Sequence, residues 1–247
     1  MSGADDRRRA AAHVFVGFEE LGVDGVIALS DDTEHHLSRV LRLREGAVIS
    51  VRDGAGRWRL ATVVGERQAM RIEATGDVEF EAPRGAPPVL ATAMPKGERL
   101  DWLVQKVTEL GVGRLQLLDA DHSVVRWKSS DIDKKLLRLK RIAESAAQQS
   151  RRTVLLEVLP PIKASDILAG AAVAEPGGRA LTASDRIVAI GPEGGWSNAE
   201  LAVAGDRVTL GFNVLRTETA AVAAATLCGA AADRYGCTGT HPLRSVP

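Results

Sequence analysis

Cysteine is scarce in this 247-residue chain: Cys228 and Cys237 are the only two, and their spacing matches neither a CxxC pair nor a metal-ligand set. That leaves no disulfide framework, and a reducing cytoplasm is the expected compartment. No apolar run approaches the roughly 18 residues that cross a bilayer, so no membrane span is expected. The polar stretch Met1–Arg9 has no signal-peptide apolar core, and secretion is not expected either. Neither GxGxxG nor GxxxxGK[ST] occurs, which removes the support for a Rossmann dinucleotide site or a P-loop. The five histidines do not point to a metal, since His35 and His36 are adjacent and cannot share one side of a helix. Internal repeats are absent, and so is low-complexity sequence beyond the Arg-rich start. Net charge is zero as well.

That zero hides an asymmetry. Residues 1–82 hold 11 Lys+Arg against 15 Asp+Glu, and residues 83–247 hold 21 against 17. Within 126–152 nine basic residues (Arg126, Lys128, Lys134, Lys135, Arg138, Lys140, Arg141, Arg151 and Arg152) face three acidic ones. Such an excess suits a polyanion such as RNA, while its plainer reading is a solvated helix face. The remaining composition, 45% hydrophobic and 26% charged, is ordinary for a soluble globular chain long enough for one large domain or two modest ones.

Two textures divide the chain. Short strands are expected at His13–Phe18, Val26–Ser30, Ala47–Arg52, Trp58–Val64 and Met70–Ala74, interrupted by a helix over Thr33–Leu43. Asp53-Gly54-Ala55-Gly56 supplies a hairpin. This spacing reads as a small β-barrel, and the prolines of Glu79–Pro88 read as a linker. Strands and helices then alternate: strands at Val89–Met94, Leu115–Leu118, Val154–Val158, Arg179–Leu181, Ile187–Ile190 and Val208–Leu210, helices at Glu98–Leu110, Ile132–Gln149 and Thr219–Ala232. Ser197-Asn198-Ala199-Glu200 is a capping box. The alternation implies an α/β fold with a mostly parallel sheet covered on both faces.

Two strand-to-helix reversals carry the functional signal. Gly191-Pro192-Glu193-Gly194-Gly195 follows Val188-Ala189-Ile190, at the strand end where open α/β sheets bind ligands. Its glycines permit close backbone approach, so its amides suit an adenine edge or a carboxylate; alone, such a turn is more often only a turn. The second reversal, Leu210 to Ala220, shifts that balance by setting Arg216 and Glu218 between two apolar elements. Thr217 or Thr219 is placed to cap the helix that follows. For both charged residues the plainer reading is helix-start electrostatics. Trp58 and Trp102 are expected in the core or at a domain contact. Trp127, among basic residues, is balanced between packing and base stacking. Trp196 is expected over the ligand loop or at a subunit contact, and Cys228 inside the Ala-rich helix.

These segments, together with Lys96-Gly97-Glu98-Arg99, Gln105 through Val112, Gln149-Ser150-Arg151-Arg152 and His35 through Leu43, occur in an order that resembles the ribosomal RNA small-subunit methyltransferase E family of knotted SPOUT methyltransferases. The resemblance covers about residues 13–235. It implies a PUA-like RNA-binding barrel over residues 1–82 and a SPOUT domain with a deep trefoil knot over residues 83–247, a topology that pattern alone never justifies. It implies S-adenosylmethionine as cofactor, a homodimer, and methyl transfer to N3 of a uridine in 16S rRNA of the small subunit. The cofactor would be held by Ile190, Gly191, Pro192, Glu193, Gly194, Gly195, Leu210, Gly211, Leu215 and Thr217. RNA would be met by Arg39, Arg42, Lys96, Arg99, Arg126, Arg138, Arg141 and Arg152. Three places depart from the family pattern: Gln148 where an acid is common, His122 where Arg is commoner, and Phe212-Asn213 in place of Pro-Arg.

The implied chemistry needs the methyl donor aligned with N3 and a group that stabilises the charge developing on uracil. Arg216 is the first candidate for that role and Arg152 the second. Glu218 either accepts the imide proton or orients Arg216. The sulfonium already activates the methyl, and no metal is required. Two rival readings stand beside this one: a knotted methyltransferase of another RNA such as tRNA, and an RNA-binding homologue without catalysis.

Overall fold

A computed structural model describes residues 3–65, 70–82, 88–182 and 184–236. The chain divides into two compact units, Met1–Pro83 with Arg141–Leu156 and Arg84–Lys140 with Glu157–Pro247.

The first unit contains α1 (Gly3–Arg9), β1 (His13–Phe15), α2 (Phe18–Leu21), β2 (Val26–Ile27), α3 (Asp31–His35), β3 (Val48–Arg52), β4 (Arg57–Val64), β5 (Arg71–Ala74) and β6 (Glu79–Phe80). Its sheet runs β1-β3-β4-β5-β2, with β6 on β4; β1 and β3 are parallel and the remaining pairs antiparallel. The alternation in β3 and β4 sends Ile49, Val51, Ala61 and Val63 into a core shared with Val14, Leu21, Ile27, Leu37 and Ile72. The expected hairpin joins β3 to β4. Asp53 Oδ1 accepts from the amides of Ala55 and Arg57 at 2.7 and 3.0 Å, fixing the turn.

One segment of this part carried no expectation, and two expectations differ from what is found. The polar start forms α1, with Asp5 and Asp6 in its first turn and Arg7, Arg8 and Arg9 in its last, as the helix dipole favours. The helix expected over 33–43 is α3 followed by a π-turn, His36–Val40, and the chain leaves it through Arg42 at φ 51°. The start of the expected linker is strand β6, which pairs Phe80 with Arg57 and Glu79 with Trp58. Residues 83–87 of that linker lie outside the described residues.

The second unit contains β7 (Val89–Ala93), α4 (Glu98–Glu109), β8 (Arg114–Asp119), α5 (Ile132–Gln149, whose residues from Arg141 on group with the first unit), β9 (Glu157–Lys163), α6 (Ser165–Leu168), β10 (Ala172–Ala180), β11 (Ile187–Ile190), α7 (Asn198–Val203), β12 (Arg207–Thr209) and α8 (Thr217–Gly236). Its sheet is parallel throughout in the order β12-β10-β11-β7-β8-β9. The α/β expectation therefore holds. On α4 the stripe Leu100, Leu103, Val104 and Val107 is buried, and α8 packs on α4, β7 and β11. Each fully buried Leu or Val contributes about 1.5–3 kcal/mol relative to exposure, so these stripes hold the helices on the sheet.

Two strands sit differently from expectation, both because of proline. The strand expected at Val154–Val158 is β9, shifted to Glu157–Lys163 and carrying Pro160-Pro161; it is an edge strand, where a missing N–H costs little. The strand expected at Arg179–Leu181 begins at Ala172. Its Glu175-Pro176-Gly177-Gly178 bulges between two stretches paired with β12, and an interior strand accommodates proline only at such a bulge.

Candidate functional site

Two strand ends and a strand bulge converge in the second unit on a cavity of about 320 Å³. Its walls are the β10 bulge (Ala174–Gly177), the loop after β11 (Gly191, Pro192, Glu193, Gly195 and Trp196), the loop after β12 (Leu210–Leu215) and the start of α8 (Thr217 and Ala220). The size lies at the lower end of small-molecule sites, which run roughly 300–1,000 Å³. Among the described residues, no amide from Gly211 to Leu215 donates to another main-chain carbonyl.

The loops are tied to one another by side chains. Trp196 is 7% exposed in a core with Ala91, Leu118, Val173 and Ala189, and its Nε1 donates to Ala174 O at 3.2 Å. That bond joins the β11 loop to the β10 bulge. Its indole lies against Gly191, where an added Cβ would stand 2.9 Å from Trp196 Cε2. Thr217 Oγ1 donates to Gly191 O at 3.0 Å, joining α8 to the same loop. Behind the loop, His122 Nδ1 is 3.1 Å from both Gly194 O and Gly195 O. Ser197 caps α7 through the expected box; Glu200, 4% exposed, accepts from the Ser197 and Asp121 amides at 2.8 and 2.9 Å. The segment after β8 thus braces the β11 loop from outside the cavity.

An ion cluster closes the inner side. Arg99, near the start of α4, reaches Glu193 Oε1 at 3.0 Å and Glu218 Oε1 at 3.6 Å. Glu218 is 7% exposed, and its Oε2 is buried with no partner among the described residues. One cation therefore serves two carboxylates, one from the cavity wall and one from the first turn of α8.

The comparisons agree with this geometry. The RNA methyltransferase domain family matches residues 84–229, and the RNA methyltransferase PUA domain family matches residues 29–72. Ribosomal RNA small subunit methyltransferase E of Mycobacterium bovis is 33% identical over 240 residues, covering 85% of this chain and 89% of that protein. The chain belongs to the ribosomal RNA small subunit methyltransferase E family. The Synechocystis member is 30% identical over 222 residues, covering 80% of this chain and 71% of its own. The crystal structure of the Neisseria gonorrhoeae member bound to S-adenosyl methionine superposes with a TM-score of 0.75 at 30% identity, covering 91% of this chain and 97% of that one.

Of the residues that the family resemblance assigns to the cofactor, Ile190, Gly191, Pro192, Glu193, Gly195, Leu210, Gly211, Leu215 and Thr217 line the cavity. Gly194 does not. It faces outward, where an added Cβ would meet His122 Cβ at 3.0 Å. Sequence reasoning missed Ala174–Gly177, because a Glu-Pro-Gly-Gly run reads as a loop rather than as a bulged strand. Phe212, one of the departures from the family pattern, stands fully exposed on the rim, as does most of Val214. His122, another departure, is the residue that grips the Gly194 and Gly195 carbonyls.

The three candidate catalytic residues differ in their settings. Arg216 is exposed, and its guanidinium makes no ion pair among the described residues. Glu218 is held by Arg99, not Arg216, because residues two apart at a helix start point in different directions. Arg152 belongs to the first unit, where burial lowers its pKa to about 10.

The RNA candidates also divide. Arg39, Arg42, Lys96 and Arg141 are exposed. Arg99 is instead the bridge between Glu193 and Glu218, Arg126 donates to the carbonyls of Ala120 and Asp121, and Arg138 pairs with Asp101. Lys135 covers the Trp127 ring at 5.2 Å, and Trp102, expected in the core or at a domain contact, is 43% exposed. Trp58 and Cys228 are buried as expected. No described helix is long and apolar enough to cross a membrane.

Proposed function

We propose that this chain is an S-adenosylmethionine-dependent methyltransferase that modifies N3 of a uridine in 16S rRNA of the small ribosomal subunit. The observation that carries the reading is the cavity where the loops after β11 and β12 meet the β10 bulge, in a chain whose relatives are named for rRNA methylation and in one case solved with S-adenosyl methionine. The residues fit that cofactor. The amides of Gly211–Leu215 are uncommitted, the indole of Trp196 gives an apolar wall, and the Gly191 carbonyl is fixed by Thr217. When bound, the cofactor supplies a methyl group made electrophilic by its sulfonium.

The chain's own groups supply the rest. Arg216, an exposed guanidinium at the start of α8 with no ion pair among the described residues, stabilises negative charge as it develops on uracil. Glu218 has one oxygen committed to Arg99 and one unpartnered oxygen, Oε2, which is the acceptor for the imide proton. Arg99 fixes the position of that carboxylate and, through Glu193, keeps the cavity loop in register with α8. Arg152 remains the second candidate for charge stabilisation.

We assign the PUA-like RNA-binding domain to residues 1–82 and the SPOUT domain to residues 83–247, in cytoplasmic surroundings. A trefoil knot is favoured by a strand order that doubles back at β10-β11, with α8 returning from edge strand β12 to pack on central strands. A homodimer is favoured by exposed Phe212, Val214 and Trp102. The Ala-rich face of α8 does not support it, because Ala221, Ala224 and Ala225 are already buried within the unit. Exposed Arg39, Arg42, Lys96 and Arg141 are the candidates for phosphate contacts. Calorimetry with S-adenosylmethionine, followed by methyl transfer to small subunits lacking the modification, tests the proposal. Binding and 3-methyluridine formation are expected; binding without transfer to rRNA leaves the tRNA reading, and no binding leaves the non-catalytic one.

A further inference from the structure

Three arginines of the first unit are almost fully buried: Arg7, Arg52 and Arg59, at 2%, 0% and 5% exposure. Arg59 shows how this unit satisfies a buried guanidinium. Its Nε donates to Gly76 O at 2.8 Å, Nη1 to Leu21 O and Val23 O at 3.2 and 3.1 Å, and Nη2 to Asp24 Oδ1 at 3.1 Å. Arg52 and Arg7 are not treated this way. Arg52 Nη1 donates to the carbonyl of Arg152, while its Nε and Nη2 are buried without a partner among the described residues. Arg7 donates to Arg151 O at 2.7 Å and to Glu81 Oε2 at 2.6 Å, and its Nε is left over. Phe15 and Trp58 lie under the two guanidinium groups at 4.6 and 5.4 Å, which gives each a favourable face but accepts none of the in-plane N–H groups.

The surroundings add positive charge. Arg151 and Arg152 come from the turn whose carbonyls these two arginines hold, Arg151 exposed and Arg152 half-buried. His13 has both ring nitrogens buried without partners among the described residues, and burial together with Arg52, Arg151 and Arg7 lowers its pKa to about 3. Burial also lowers Arg52 to about 9, with Arg7 acting in the same direction and Glu81 against it. Two buried guanidinium groups, those of Arg7 and Arg52, thus share the charge of the Glu81 carboxylate, which also accepts from Thr153 Oγ1, while exposed Arg151 donates to Arg8 O. A buried charge persists where an opposite charge compensates it, and among the described residues the three leftover N–H positions of Arg7 and Arg52 have no acceptor.

We propose that this cluster binds a phosphate group, which enters in place of the Glu81 carboxylate, takes the N–H groups of Arg7 and Arg52, and is drawn in by the positive charge of exposed Arg151 nearby. Glu81 is suited to give way: its side chain is 37% exposed, and it follows the two-residue strand β6. A tetrahedral phosphate offers more acceptor positions and more charge than the carboxylate it replaces, and guanidinium forks bind it bidentately. The phosphate is either a link of the RNA backbone or free inorganic phosphate. The RNA source rests on the reading of the first unit as RNA-binding.

The test titrates inorganic phosphate into the full chain by calorimetry, with chloride at equal ionic strength as control. Wild type is expected to bind phosphate. Arg52→Met is expected to stay folded, since an apolar replacement of a buried ion is often neutral, and to lose at least tenfold in phosphate affinity. Glu81→Gln should bind phosphate several-fold more tightly, and it decides the matter if Arg52→Met does not fold. Equal affinity in all three proteins, or no binding by wild type, overturns the proposal. A short single-stranded RNA that competes with phosphate identifies the backbone as the source, and a failure to compete identifies free phosphate. None of these readouts involves methyl transfer, so the site and the proposed activity fail separately.

Discussion

Replacing Arg99 with alanine tests the ion cluster behind the cavity. The Arg99–Glu193 contact, 3.0 Å with both side chains more than a third exposed, contributes about 0–1 kcal/mol. The Glu218 contact differs because that side chain is 9% exposed. At 3.6 Å and an effective dielectric near 20 its gross attraction is about 5 kcal/mol. Desolvation of Glu218 and the partial exposure of Arg99 reduce the net value to about 1–3 kcal/mol. Arg99→Ala therefore leaves an unpaired buried carboxylate, whereas Arg99→Ala combined with Glu218→Gln leaves a neutral amide. Urea denaturation of wild type, both single variants and the double variant should show a coupling energy of about 1–3 kcal/mol, with the double variant more stable than the sum of the singles predicts. Costs that add to within about 0.5 kcal/mol would show that Arg99 and Glu218 merely lie near each other.

Arg216→Ala should lower the single-turnover methylation rate on the order of a hundredfold with cofactor affinity unchanged, and Arg216→Lys should recover part of it; a weakened cofactor affinity with an intact rate makes Arg216 a structural clasp. Gly191→Ala, whose Cβ would lie 2.9 Å from the Trp196 indole, should weaken S-adenosylmethionine binding in calorimetry by about tenfold. Gly194→Ala, directed at His122, should weaken it far less; the reverse order contradicts the cavity assignment. His13 has a folded pKa of about 3 against 6.5 when unfolded, so its contribution is present above pH 6.5 and is lost as pH falls from there toward 3. His13→Asn should flatten that part of the stability profile in urea titrations, and an unchanged slope would refute the assignment.

The parts of the fold that could be read directly were those where periodicity and burial agree. The bounds of Ile132–Gln149 and Ile187–Ile190 follow from an amphipathic stripe and an apolar run between turn residues. What escaped was fixed by partners far along the chain. Glu175-Pro176-Gly177-Gly178 becomes part of a strand only because β12 pairs on both sides of the bulge. Pro160-Pro161 is tolerated only because β9 is an edge. The candidate site divides in the same way. The two strand-end loops were marked by local backbone chemistry, glycine and proline after an apolar run. Arg99 was assigned to RNA by the family resemblance, whereas its partners Glu193 and Glu218 reach it only through the tertiary fold. Gly194 was placed in the cavity by its neighbours' character, yet its free side faces His122.

The account stands most directly on mapping the product. The purified chain and S-adenosylmethionine carrying a labelled methyl group are incubated with small ribosomal subunits from a strain lacking this enzyme. The 16S rRNA is then digested and its nucleosides are resolved by mass spectrometry. The account predicts one new labelled nucleoside, 3-methyluridine, at a single position, absent when Arg216→Ala replaces wild type at the same time point. Label on another base or another ring atom, or none on 16S rRNA while tRNA becomes labelled, would contradict it.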